Sequence, residues 1–265
     1  MRTLTIAMLL VLLAARAVEG QLTSAEALKL FTEANEAYLS AEKLNEEGDQ
    51  HAASLKYEAA RVNYERLAAG GYARACVYYN LGNTYAKLNS WGGAIWSYRR
   101  ALRLAPRDAD TIANLSYARD RSLDAIPRRE SAFIRSLLFW HFGLSLGETQ
   151  VVALFAYYSA SIALCLWFFF RRHSLRKFTY VLIVLLIAFT SSVAVKLVDQ
   201  KHPGETVIVA ESVDVLSGPS KSSEVRLRLH SGAEVKLEET DDGWFKIYID
   251  KKRRGWVPGS ACRVI

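Results

Sequence analysis

Four regimes of hydrophobic patterning follow one another along the chain. Residues 4–15 are apolar, preceded by Arg2 and followed by small side chains. Residues 21–126 place apolar and small side chains at helical spacing among Glu, Lys and Arg, as in SAEALKLFTEANEAYLSAEKL, a period that predicts amphipathic helices. Residues 151–170 (VVALFAYYSASIALCLWFFF) and 178–195 (FTYVLIVLLIAFTSSVAV) hold no charge and show no polar face. From residue 199 the period shortens to two, through Val207, Val209, Val213 and Val215, then Val225, Leu227 and Leu229, then Ala233, Val235 and Leu237. With Ser231-Gly232 and Asp242-Gly243 as turns, the pattern predicts five or six short strands and a small closed barrel.

Spanning a bilayer takes about 20 apolar residues in a helix. The stretch 4–15 is too short, and its layout is that of a signal peptide over residues 1–20, cleaved after Ala17 or Gly20. Residues 151–170 and 178–198 read as two transmembrane helices, with Lys196 placed to snorkel. The cations of the segment between them, 171–177, are Arg171, Arg172, Arg176 and Lys177. Short cationic loops stay in the cytoplasm, so this loop marks topology and puts residues 21–150 and 199–265 outside. Residues 127–150 read as an interfacial linker, since FIRSLLFWHFGLSL crowds aromatics and leucines beside Arg128, Arg129 and Arg135.

The net charge is +7. Residues 21–127 hold 13 cations and 13 anions, and residues 199–265 hold 11 of each. Six of the excess charges lie in the apolar middle and one in residues 1–20, which excludes the basic stripe of a nucleic-acid binder.

Residues 75–108, ACVYYNLGNTYAKLNSWGGAIWSYRRALRLAPRD, place Tyr78, Leu81, Gly82, Tyr85, Ala94, Tyr98, Ala101 and Pro106 in the register of the tetratricopeptide repeat. Gly82 and Ala94 are small where two helices cross, Leu81, Tyr85 and Tyr98 fill the crossing, Asn89 to Gly93 is expected to turn, and Pro106 ends the second helix. One repeat cannot bury its own faces. Upstream, Ala60, Tyr64 and Leu67 suggest a degenerate hairpin broken near Gly48-Asp49; downstream, Ile112 and Leu115 suggest a capping helix. The expected array is therefore two hairpins and a cap. In that register Tyr79, Asn83 and Lys87, joined by Tyr117 and Arg121, would line the concave groove that takes an extended partner peptide, or would solvate that face.

In the C-terminal part, Ser217–Ser220, Leu229-Gly232-Val235, Gly243-Trp244-Lys246-Ile247 and Gly255-Trp256-Val257 resemble a bacterial SH3 domain; Leu216 departs from it, standing where a cation is common. Trp244 and Trp256 are read as core or pocket-wall residues, and Lys251–Arg254 as a basic hairpin tip.

The five histidines are scattered, and no HExxH, GxSxG or phosphate-binding loop is present. The reading is of a non-enzyme with no catalytic residue, metal or cofactor. Cys76, Cys165 and Cys262 lie far apart and are read as small buried hydrophobes.

The expected fold class is mainly α: a short helical array, two membrane helices and a small barrel. This order resembles the BatE-type proteins of the bacterial aerotolerance operon, most specifically in YYNLGNTYAKL, ALRLAPRDAD and NLSYARD. The resemblance implies a bacterial inner-membrane protein with both large domains in the periplasm, partnered by von Willebrand-type membrane proteins and a MoxR-type ATPase. The expected role is a scaffold; the alternative is a sensor binding peptidoglycan through the barrel. Lipid is the other expected partner, and nucleic acid is not.

Overall fold

The computed structural model describes residues 22–124, 132–201, 204–250 and 253–265. The expected signal peptide, the Arg128-Arg129 pair and Lys251-Lys252 of the basic tip lie outside the described residues.

Five helices form the first unit: α1 (Ser24–Glu46), α2 (Gln50–Ala69), α3 (Ala75–Lys87), α4 (Trp91–Leu104) and α5 (Ala109–Arg121). Thr23 and Glu26 close a reciprocal cap on α1, Gly48 turns the chain at φ +88°, and Asp49 caps α2. The two hairpins and the fifth helix match the expected array in number. Small residues set the close approaches: Ala34, Ala41, Ala60, Ala94 and Ala118 are wholly buried. A Cβ on Gly82 would lie 2.5 Å from the Tyr98 ring, and one on Gly93 would lie 2.5 Å from the Tyr85 ring. Glycine and tyrosine thus interlock twice across one hairpin.

Three details differ from expectation. The turn is shorter than Asn89 to Gly93, because α4 starts at Trp91 and takes both glycines into its first turn, with Asn89 alone in the left-handed region at φ 56°. Ile112 is exposed, and Thr111, Leu115 and Ala118 form the buried face of α5. Cys76 is exposed on α3, which presents another face inward, and Cys165 is exposed on an apolar helix; only Cys262 is buried as expected.

The short helices α6 (Ala132–Leu137) and α7 (Phe139–Gly143) lead into α8 (Leu146–Phe170) and α9 (His173–Lys201). Both long helices are long and apolar enough to cross a membrane, and only 17% and 6% of their most apolar windows are buried, unlike the core helices of a soluble protein. They meet along a seam of Thr149, Ala153, Ala156, Ala160 and Ala163 on α8, with Thr179 and Ser192 buried on α9, the small-residue packing that lets apolar helices approach in lipid. α8 ends at Phe170, where charge counting put it, but its start and both ends of α9 lie elsewhere. A Ser145–Glu148 capping box starts α8 five residues before the charge-free run. The expected seven-residue loop shrinks to Arg171 and Arg172, with Arg171 in the left-handed region at φ 49°. HSLRK holds no helix breaker, so α9 absorbs Arg176 and Lys177.

Seven antiparallel strands, more than the five or six expected, end the chain: β1 (Glu205–Ile208), β2 (Ser212–Leu216), β3 (Val225–His230), β4 (Glu234–Asp241), β5 (Trp244–Tyr248), β6 (Arg254–Pro258) and β7 (Cys262–Val264), in the order β3-β2-β6-β5-β4-β1-β7, a barrel-like sheet left open between its edges β3 and β7 rather than closed. Asp242 and Gly243, both at positive φ, make the tight turn read from the sequence. Val213, Val215, Leu229, Val235, Ile247 and Val257 form the core with Cys262, whose thiol burial pushes up to about 12. Val225 breaks the alternation, being exposed on the edge strand β3.

The helices and the barrel are not separate beads. Val207 of β1 and Ile265 are completely buried within the helical core cluster.

Candidate functional site

The first helices of the hairpins, α1 and α3, together with α5, carry a half-buried polar seam. Asn35 Oδ1 accepts from the Tyr64 hydroxyl at 2.6 Å and from Asn80 Nδ2 at 3.3 Å. Asn83 Oδ1 accepts from the Tyr98 hydroxyl at 2.8 Å and from Asn114 Nδ2 at 3.0 Å. Burial pushes the Tyr64 phenol up to about 12 and the Tyr98 phenol higher still, so both remain donors across the physiological range. Each asparagine oxygen is therefore committed inward. The amide nitrogens of Asn35 and Asn83 donate to no partner among the described residues, which leaves them for a ligand's carbonyl groups.

The residues named from the sequence divide into three groups. Tyr79 and Asn83 belong to this seam, Tyr79 packing its ring 6.3 Å from that of Tyr98. Tyr117 and Arg121 form a separate exposed stack with Trp91: the Tyr117 ring lies 6.1 Å from Trp91 and the Arg121 guanidinium 5.0 Å above Tyr117. Lys87 is paired with Glu42 at 2.9 Å, so its charge is already met within the chain. Tyr57 also donates to Glu42. Burial opposes ionisation of Glu42, but the Tyr57 and Lys87 contacts outweigh it and hold the carboxyl below its ordinary value. Asn35, Asn80 and Asn114 escaped the sequence reading, although Asn80 and Asn83 lie one helical turn apart. The residues expected to pack a repeat, Tyr78, Leu81, Gly82, Tyr85, Ala94, Tyr98 and Ala101, are all buried; Pro106 lies just beyond the end of α4.

The barrel docks against α4, α2 and α5. Trp96 Nε1 donates to the Val264 carbonyl at 2.9 Å, and Arg103 to that of Ile265 at 2.6 Å. Arg263 reaches back to Glu65 at 2.7 Å while its guanidinium lies 4.9 Å from the Trp96 ring. Arg119 grips Glu234 through two hydrogen bonds, of 2.6 and 3.1 Å, and Arg99 pairs with Glu205. The β3–β4 turn is held by Ser231 Oγ accepting from Gly92 N at 3.0 Å and by Asp124 accepting from His230 N at 2.6 Å.

Trp244 and Trp256 are not core residues: both stand on the outer face of β5 and β6, half-buried, while Ile247, Gly255 and Val257 point inward. The pairings of Lys246 with Trp256 and of Tyr248 with Arg254 put Trp244, Lys246, Tyr248, Arg254 and Trp256 on one face. Lys246 Nζ lies 5.5 Å from the Trp256 ring. Alternation in a strand sends every second residue outward, and both tryptophans sit at the outward parity.

Among known proteins, the family model of the bacterial SH3 domain matches residues 211–261, covering β2 to the end of the short helical turn after β6. No curated protein matches the chain. The strand-rich C-terminal unit is a bacterial SH3 domain, with β1 and β7 extending it on either side of the matched residues.

Proposed function

We propose that the chain is a membrane-anchored, non-enzymatic adaptor whose helical groove, of tetratricopeptide type, holds an extended segment of a partner protein. The carrying observation is the asparagine seam: two amides with their oxygens fixed inward and their nitrogens free suit the carbonyl groups of a peptide backbone. Among the described residues, the barrel's contacts fall on Glu65, Gly92, Trp96, Arg103, Arg119 and Asp124, and on neither Asn35 nor Asn83. On this reading α8 and α9 cross a bacterial inner membrane as a hairpin, with Arg171 and Arg172 in the cytoplasm and both large units in the periplasm. The direct contact between helices and barrel supports that topology, since two units that touch must lie on one side. The resemblance to BatE-type proteins suggests partners of the von Willebrand type in a stress or aerotolerance complex.

The test is co-purification from native membranes. Asn35→Asp with Asn83→Asp keeps both oxygen acceptors and removes both amide donors. A defined partner held by the wild type should fall at least tenfold in yield with the double variant, given about 1 kcal/mol for each lost hydrogen bond. Equal recovery would sink the groove reading.

A second reading, wall binding through the barrel, is favoured by the outer face of β5 and β6. Its tryptophans and cations offer stacking surfaces and charge for peptidoglycan sugars and carboxylates. Co-sedimentation with purified wall material, lost on Trp244→Ala with Trp256→Ala, would establish it.

A further inference from the structure

The cavity beneath α7 has no part in either role. α7 is pinned to α9 by three contacts: the Trp140 and Phe189 rings lie 6.3 Å apart, His141 Nδ1 lies 2.7 Å from Ser192 Oγ, and Lys196 Nζ donates to the Leu144 carbonyl. Between the two helices lies a cavity of about 460 Å³, walled by Trp140, Leu144, Leu185, Ala188 and Phe189, with Arg107 of the α4–α5 connection at its mouth. The volume falls within the ~300–1,000 Å³ of small-molecule sites. Apart from Arg107 the wall is apolar.

We propose that this cavity binds one anionic phospholipid, its acyl chain lying along α9 and its phosphate on Arg107. The proposal rests on the reading of α8 and α9 as membrane spans. Leu185 falls near the middle of the charge-free run 178–195, and Lys196 at its outer end. At ~1.5 Å per helical residue that separation is about 16 Å, close to one leaflet of a hydrocarbon core ~30 Å thick. A partner helix of that length and ~10 Å diameter would need more than twice the cavity's volume, which leaves an acyl chain as the fitting occupant. Arg107 supplies the charge complement. One of its nitrogens meets Glu148, whose second oxygen is tied at 2.8 Å to the Ser145 backbone in the α8 cap. The rest of the guanidinium fork remains for a phosphate, and the side chain is 64% exposed at the mouth.

Gly143 also lines the cavity and provides a clean probe, because a Cβ there meets no atom within 4 Å, so Gly143→Leu adds bulk at the cavity wall without a backbone clash. Full-length protein would be reconstituted in nanodiscs of phosphatidylglycerol and phosphatidylethanolamine, released into mild detergent and weighed by native mass spectrometry. Carbonate extraction and circular dichroism would run alongside. The wild type should retain one phosphatidylglycerol, Gly143→Leu should lose it, and Arg107→Gln should weaken the preference for the anionic lipid about fivefold. Equal retention by wild type and Gly143→Leu, both folded and carbonate-resistant, overturns the lipid site alone. Equal retention of the two lipids by wild type, or a protein chain in the lipid's place, overturns it as well. Release of both proteins by carbonate instead refutes the membrane spans, and the lipid site with them.

Discussion

Two glycines side by side in α4 have opposite duties. Gly93 faces inward: an added Cβ meets the Tyr85 ring at 2.5 Å, inside the helical unit. Gly92 faces the barrel: an added Cβ would lie 2.3 Å from the Ile208 carbonyl oxygen, which is backbone and cannot rotate away. Gly93→Ala should lower the stability of the helical unit by about 1–3 kcal/mol through overpacking, partly offset by the ~1 kcal/mol helix preference of alanine. Gly92→Ala should weaken docking of the barrel and, by loosening the Val207 and Ile265 packing, lower the helical unit's melting less than Gly93→Ala does. Thermal unfolding followed by circular dichroism, with proteolysis at the barrel junction, distinguishes the two. The sequence offered WGG as a turn, and both roles were hidden in that reading. A glycine's value here lies in what approaches it, and in Gly92's case the approaching atom comes from more than a hundred positions away.

At the scale of elements, legibility followed locality. The interlocking of Gly82, Tyr85 and Tyr98 was readable because those contacts lie within the single hairpin of α3 and α4. The strands of the barrel were readable from period two and from Asp242-Gly243. The start of α8 and both ends of α9 were misjudged because counting charge-free residues ignores caps; the Ser145-x-x-Glu148 signature was present and marks the true beginning of α8. The asparagine seam was half legible, since Asn83 was in view but its fixed oxygen depends on Tyr98 and Asn114 arriving from other helices. The α8–α9 hairpin carries a prediction of its own. Ala160 is buried in the seam, so Ala160→Leu should wedge the helices apart at a cost of about 1–3 kcal/mol. Leu164→Ala, on the exposed side, should cost far less. Resistance to unfolding in mixed detergent micelles would rank them, and equal effects would argue against the seam.

Across the whole molecule, the docking contacts depend on ionised carboxylates. Burial opposes ionisation of Glu65, but hydrogen bonds from Tyr85 and Arg263 outweigh it and hold its carboxyl below the ordinary value of 4.5. A depressed value in the folded state means that the stabilising contribution is complete above the unfolded value. It is lost as pH falls through the folded one. Acidification below pH 4.5 should therefore loosen the barrel from the helices. Energy transfer between a label on exposed Cys76 and one on Lys221→Cys, in a Cys165→Ser background, would report the separation. Glu65→Gln should flatten the pH profile, and an unchanged profile would remove Glu65 as the source.

The shared core has a consequence for how such a chain comes to be made. Val207 and Ile265 complete the packing around Trp96 only after everything between them and α4 has been threaded. On the proposed topology, the surface of α4 waits through the synthesis of both spans before its cover arrives. A chain in which only one span inserts would strand the barrel in the wrong compartment and leave Trp96 and its neighbours bare. On that topology docking would act as a check on insertion: correct threading would hide the apolar face of α4, and a misthreaded chain would leave it open to the cell's proteases.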